Sequence, residues 1–89
     1  MRVVDNPSES RYEIYEDDKL AGFSTYRLVG NRIVFLHTEI DPAYEGHGLG
    51  SALARGALDD ARRRGLTVIA RCPFIARFIR EHPEYAQTS

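Results

Sequence analysis

The chain has 89 residues, with 12 basic and 13 acidic side chains and a formal net charge of −1. That length suits one domain around one shared core, and the charge balance gives no electrostatic ground for wrapping a nucleic-acid backbone. No apolar run approaches the roughly 20 residues a spanning helix needs. Met1 to Pro7 lacks the apolar stretch of a signal peptide, so the expectation is a cytosolic (cytoplasmic) protein without a membrane partner. The single cysteine, Cys72, excludes an internal disulfide and a cysteine-rich zinc site.

Asn6 to Ser10 reads as a polar lead. Arg11 to Glu16 then alternates, with Tyr12 and Ile14 on one face and Arg11, Glu13 and Tyr15 on the other, which is a strand pattern. Asp17-Asp18-Lys19 is turn chemistry, and Leu20 to Val29 reads as the partner strand. Gly30-Asn31 marks a second hairpin turn, followed by a third strand from Arg32 to Ile40. In that strand Ile33-Val34-Phe35-Leu36 suggests burial on both faces.

The period changes after Gly48. Leu49, Leu53, Ala57 and Ala61, flanked by Ala54 and Leu58, form one helical stripe. Arg55–Asp59, Asp59–Arg63 and Asp60–Arg64 are spaced as exposed i,i+4 pairs. Gly65 stands where a C-terminal cap glycine belongs. Thr67 to Arg71 is a short strand, Pro73 opens a second helix, and Pro83 ends it. The order β-β-β-α-β-α describes a single α+β domain with its core at about residues 11–85. A three-stranded antiparallel meander is followed by helix, strand and helix. A right-handed crossover sets the last strand parallel to the third, and ligands bind open sheets beyond strand carboxyl ends.

Three glycines in five residues (Gly46, Gly48, Gly50) precede the long helix. Each adds conformational entropy to be lost on folding, which makes sense where a backbone must approach a ligand. Exposed N–H groups at a helix N-terminus favour an anion such as a pyrophosphate. The dinucleotide fingerprint fails because Ser51 stands where its third glycine belongs, and no P-loop Gly-Lys-Ser/Thr is present.

The turn does resemble the acyl-CoA motif of Gcn5-related N-acetyltransferases, Arg/Gln-x-x-Gly-x-Gly/Ala, with Gly48 and Gly50 at its small positions and Glu45 where Arg or Gln is usual. The resemblance extends through Phe35-Leu36-His37-Thr38-Glu39-Ile40, Glu45 to Ala54, Cys72-Pro73-Phe74 and His82-Pro83-Glu84-Tyr85. In that order these are similar to the short, single-domain branch of the family. The resemblance implies a trimmed acetyltransferase core that lacks the substrate-side helices of larger members. It also implies acetyl-CoA as co-substrate and no metal. The pyrophosphate would rest on the amides of the turn (Glu45, Gly46, His47, Gly48, Leu49, Gly50 and Ser51). The pantetheine arm would run beside Glu39, Ile40 and Asp41, and the thioester would point between the splayed third and last strands.

Acetyl transfer to an amine requires a deprotonated amine, a stabilised oxyanion and a protonated leaving thiolate. Three side chains are candidates. Cys72, between a strand end and a helix start, is placed as nucleophile or acid, against the alternative of a small buried hydrophobe. His37 and Glu39 share a face with Ile33 and Phe35 by the period of two. Glu39 is a candidate base, as in larger relatives. His37 is a relay or alternative base, or a buried imidazole satisfied by a carbonyl. His82 is read mainly as fixing a helix end. The expected function is transfer of an acetyl group from acetyl-CoA to a protein lysine or small amine, and the alternative is a coenzyme A-binding or interaction module without catalysis. Nucleic-acid binding through Arg62–Arg64, Arg71, Arg77 and Arg80 is disfavoured by the charge balance.

Overall fold

In the computed structural model, which describes residues 1–86, a five-stranded sheet carries two helices. Its strands are β1 (Arg2–Asn6), β2 (Arg11–Glu16), β3 (Lys19–Val29), β4 (Arg32–Ile40) and β5 (Thr67–Ala70), and its helices are α1 (Leu49–Arg63) and α2 (Pro73–Glu81). The spatial order is β1-β2-β3-β4-β5. The first four strands form an antiparallel meander, and β5 lies parallel to β4 from Arg32↔Thr67 to Phe35↔Ala70. The meander therefore has four strands and not three. Arg2 to Asn6 is an edge strand paired with β2, and the expected polar lead shrinks to a single 3-10 turn at Pro7–Glu9.

The turns follow their residues. Asp17 and Asp18 both take positive φ, the twist that a two-residue hairpin loop requires. Gly30 supplies the positive φ at the β3–β4 turn. The end of α1 closes with Gly65 N–H on the Arg62 carbonyl and Leu66 N–H on the Ala61 carbonyl, with Gly65 in the left-handed region.

The expected stripe of α1 is buried throughout and packs with Tyr12, Ile14, Ile33 and Phe35 of the sheet. Val34 is only half-buried and Leu36 is exposed, so the expectation of burial on both faces of β4 is corrected. The helices cover one face of the sheet, and the other stays open.

Of the three expected i,i+4 pairs on α1, Asp60–Arg64 forms. Asp59 instead accepts a hydrogen bond from the Tyr85 hydroxyl at 2.7 Å, and Arg63 turns to Asp60. Arg62, Arg63 and Arg64 are all engaged within the fold, by the Glu84 carbonyl, Asp60, Asp5 and the Tyr12 hydroxyl.

Candidate functional site

The β3–β4 ladder shifts register between Thr25 and Tyr26: Tyr26 pairs with Phe35, but Thr25 pairs with His37. Leu36 is the extra residue of a β-bulge. Beyond it the alternation is inverted. Thr38 joins Phe35 on the helix-covered side, and His37 and Glu39 turn to the open face. The expectation that His37 and Glu39 share a face with Ile33 and Phe35 is therefore corrected, because one inserted residue moves every later side chain across the sheet.

Two groupings result. On the open face, His37 Nε2 lies 3.1 Å from Glu39 Oε2, with both side chains 60% exposed, and the His37 ring approaches Phe23. His37 is thus not a buried imidazole. On the covered face, the Thr38 hydroxyl lies 3.0 Å from that of Ser24 and 3.3 Å from Cys72 Sγ. Cys72 is 2% exposed, and its backbone caps α2. The structure brings His37 to Glu39 but sets Cys72 on the other side of the sheet from both. Ser24 and Thr38 escaped the sequence reading, because only the bulge decides that Thr38 meets Cys72.

The bulge also marks where β4 and β5 part. Their pairing ends at Phe35↔Ala70, and the Phe35 carbonyl accepts from both Arg71 N–H and Cys72 N–H, at 3.0 and 2.9 Å. From Leu36 to Ile40, β4 has no strand on its β5 side among the described residues. Beyond Ile40, Asp41 N–H bonds to the Ala21 carbonyl, and the Asp41 carboxylate accepts from Ala43 N–H at 2.9 Å. That carboxylate is thereby occupied in starting the 3-10 turn Pro42–Tyr44. A cleft of about 300 Å³ lies at this end of the sheet, between Ala21–Phe23 and Glu39–Pro42.

The turn then delivers α1. His47 N–H donates to the Tyr44 carbonyl at 3.3 Å, and the first helical bond runs from Ala52 N–H to the Gly48 carbonyl. Between them, the N–H groups of Gly48, Leu49, Gly50 and Ser51 have no acceptor among the described residues, and no side chain caps the helix. Gly46 and Gly48 take positive φ, and a Cβ on either would stand in open space. At Gly50 a Cβ would fall 2.9 Å from Cζ of Phe74, so this glycine admits the Phe74 ring of α2. Leu49 is buried, and Ile40 packs on the core. Glu45 and His47 are exposed, His47 with its ring edge-on to Tyr44. A second cleft, of about 280 Å³, opens between Ser51 and the α2 residues Phe74, Arg77 and Phe78.

The four motifs that stand apart in sequence interlock here. Thr38 meets Cys72, and Phe74 covers Gly50. His82 Nδ1–H donates to the Phe78 carbonyl at 2.9 Å, and the ring stacks on that of Phe78, ending α2. Tyr85 docks on α1 through Asp59. Among the described residues no three His, Cys, Asp or Glu side chains converge as a metal site requires, and no helix is long and apolar enough to cross a membrane.

A mixed sheet that splits between two parallel strands, with an uncapped glycine turn at its mouth, defines the class. A family model described as GCN5-related N-acetyl-transferase matches residues 11–88, and the chain belongs to that family. It is 42% identical over 59 residues to Protein NATD1 of Bos taurus, a match covering 65% of this chain and 52% of that protein. It is 35% identical to Protein NATD1 of Danio rerio, covering 70% and 59%. The chain thus spans little more than half the length of these relatives. Among solved structures, a GCN5-like protein from Staphylococcus aureus superposes with a TM-score of 0.70 at 26% identity, covering 94% of this chain and 82% of that one. The ribosomal-protein-S18-alanine N-acetyltransferase of Escherichia coli gives a TM-score of 0.60 at 27% identity, covering 63% and 36%.

Proposed function

We propose that this chain binds acetyl-CoA at the mouth of the β4–β5 gap and transfers its acetyl group to an amine. The observation that carries the reading is the uncapped start of α1, where four N–H groups have no acceptor among the described residues and the Cβ positions of two glycines are open, beside a β4 edge left unpaired among those residues. Oriented amides at a helix start suit a pyrophosphate, and an unpaired strand edge suits an amide-bearing arm that adds like a strand. The residues therefore fit the co-substrate. Gly48, Leu49, Gly50 and Ser51 contribute N–H groups, Gly46 and Gly48 contribute clearance, and Ile40 and Asp41 flank the arm. Arg77 lines the cleft beside Ser51, where it is ion-paired with Glu81 at 3.1 Å.

Acetyl-CoA brings the acetyl group as a thioester. The amine nitrogen forms the new C–N bond, the C–S bond breaks, and the proton lost by the amine is balanced by one gained by the coenzyme thiolate. In this reading Glu39, 3.1 Å from His37 on the open face, accepts the amine proton. Cys72, joined to Thr38 on the covered side of the gap, supplies the other, and its burial favours this role over that of a nucleophile.

Titration calorimetry tests the first step. Acetyl-CoA should bind the native chain. Gly48→Ala should weaken that binding at least about tenfold, about 1.4 kcal/mol, because its Cβ enters the cradle. Absence of heat with the native chain overturns the reading. If acetyl-CoA binds and no amine yields free thiol, the chain is a coenzyme A-binding module.

A further inference from the structure

The open face of the sheet carries a groove of about 590 Å³ on β3, β4 and β5. Its floor is apolar, made by Val34, Leu36 and Ile69, and its cations are Arg27, Arg32 and Arg71. Among the described residues no carboxylate lines it. None of the three arginines has an ion-pair or side-chain hydrogen-bond partner among the described residues, although most other arginines of the chain do. The register explains the pattern. Arg27 stands across from Val34, and Val29 across from Arg32, while Val34 lies beside Ile69. Apolar and cationic side chains therefore interleave on one surface. The groove begins at the split in the sheet: Leu36 is the bulged residue, and Arg71 N–H holds the Phe35 carbonyl. An occupant of the groove leads into the gap where the acetyl group is proposed to sit.

We propose that this groove docks the acceptor as an acidic polypeptide segment, and that the amine acetylated belongs to that segment. The proposal rests on the acetyltransferase reading above. Guanidinium groups pair carboxylates in a bidentate way and shed water more readily than ammonium groups. Arg27 on β3 and Arg71 on β5 are two strand spacings apart, and Arg71 lies two residues beyond Ile69, so their backbones stand roughly 12 Å apart. An extended segment can engage both, since its alternate side chains on one face repeat every ~7 Å, and its apolar residues can at the same time cover Val34, Leu36 and Ile69, which a single small anion leaves bare. The walls come only from side chains standing on the sheet, so the groove is open along its length. That shape suits a chain lying across the surface better than a small molecule, which binds in an enclosing pocket.

The test uses two labelled peptides that share a central lysine, one flanked by glutamates and one by arginines, with binding followed by anisotropy and transfer by thiol release. The acidic peptide should show at least about tenfold higher kcat/KM, through KM, and the advantage should shrink as salt screens it. Arg27→Glu and Arg71→Glu should each remove about tenfold of that advantage, and the double variant should prefer the basic peptide. Acetyl-CoA binding by calorimetry should stay unchanged in all three, which separates docking from the cofactor site and shows that the variants are folded. Equal use of both peptides, or preference of the native chain for the basic one, overturns the proposal. So does tight binding of the acidic peptide without transfer, or equal, arginine-dependent binding of a single-stranded oligonucleotide. If acetyl-CoA fails to bind the native chain, the acetyltransferase reading fails, while anisotropy still reports on the groove.

Discussion

At the scale of residues, one inserted amino acid sorts the candidate catalytic side chains between the two faces of the sheet. Without the bulge at Leu36, strict alternation would put His37 and Glu39 beneath the helices and Thr38 on the open face. With it, the exposed pair His37–Glu39 and the buried pair Thr38–Cys72 stand on opposite sides of the sheet where β4 leaves β5. Such a division suits two proton movements in opposite directions, one at an arriving amine and one at a departing thiolate. Glu39→Gln should lower kcat by about 100-fold or more, the lower range of general acid–base contributions, with little change in acetyl-CoA affinity. Cys72→Ala should also lower kcat, and Cys72→Ser should recover part of the loss because a hydroxyl can still donate. Mass spectrometry during turnover should find no acetyl group on Cys72. An acetylated Cys72 would make it the nucleophile, and full activity of Cys72→Ala would remove it from the chemistry.

At the scale of elements, the attachment of β1 to α1 rests on a missing side chain. A Cβ at Gly56, in mid-helix, would fall 2.8–2.9 Å from three side-chain carbons of Val3. Alanine at an exposed helix position would gain about 1 kcal/mol over glycine. Here it collides with a β-branched side chain of little rotamer freedom, and overpacking of this kind costs about 1–3 kcal/mol. Gly56→Ala should therefore destabilise the fold in urea, and Val3→Ala in the same chain should restore much of the loss. If Gly56→Ala proves stabilising, β1 is not held against α1 in this way.

The same position shows what the sequence could and could not disclose. Arg2-Val3-Val4-Asp5-Asn6 is short and half polar, and it forms an edge strand whose outer side needs no apolar pattern, so nothing in its composition marks it. The visible signal was Gly56 itself, an interior glycine in an otherwise strong helix, which asks what lies against it. The glycine turn was legible because its residues answer to local backbone geometry. The bulge was not, since Phe35-Leu36-His37 contains no glycine or proline to announce it. Period-two reasoning across Ile33 to Glu39 was therefore correct up to Phe35 and inverted beyond it. The final His82-Pro83-Glu84-Tyr85 was visible as a motif, but its work is to close α2 and tie it to α1.

At the scale of the whole molecule, the site and the main polar supports occupy different ends. The glycine turn lies at the start of α1, whereas the end of α1 is tied to the first strands through Tyr12, Tyr26, Asp5, Asp60 and Arg64. The Tyr12 hydroxyl donates to Asp60 at 2.5 Å and that of Tyr26 to Asp5 at 2.6 Å, while Arg64 reaches both carboxylates. Burial alone would raise the Asp60 pKa, but hydrogen bonds from Tyr12 and Arg64 outweigh it and hold the carboxyl below its ordinary 3.8. Glu13 is likewise held below its ordinary 4.5, where bonds from Arg11, Asn6 and Tyr15 overcome burial. Burial first, and then the neighbouring carboxylates, push Tyr12 and Tyr26 well above the ordinary 10.0. The signs follow by linkage. The two carboxylates have depressed folded values, so their contribution is complete above about pH 4.5 and is lost as pH falls through those values. The two tyrosines have raised folded values, so theirs is complete below pH 10.0 and is lost as pH climbs beyond it. The urea midpoint should therefore hold level between these limits as far as these four groups are concerned, and fall on either side. Asp60→Asn should flatten the acid limb and Tyr12→Phe the alkaline one, each with a lower plateau. An acid limb unchanged by Asp60→Asn would show that the tie between β2 and the end of α1 carries no linked stability.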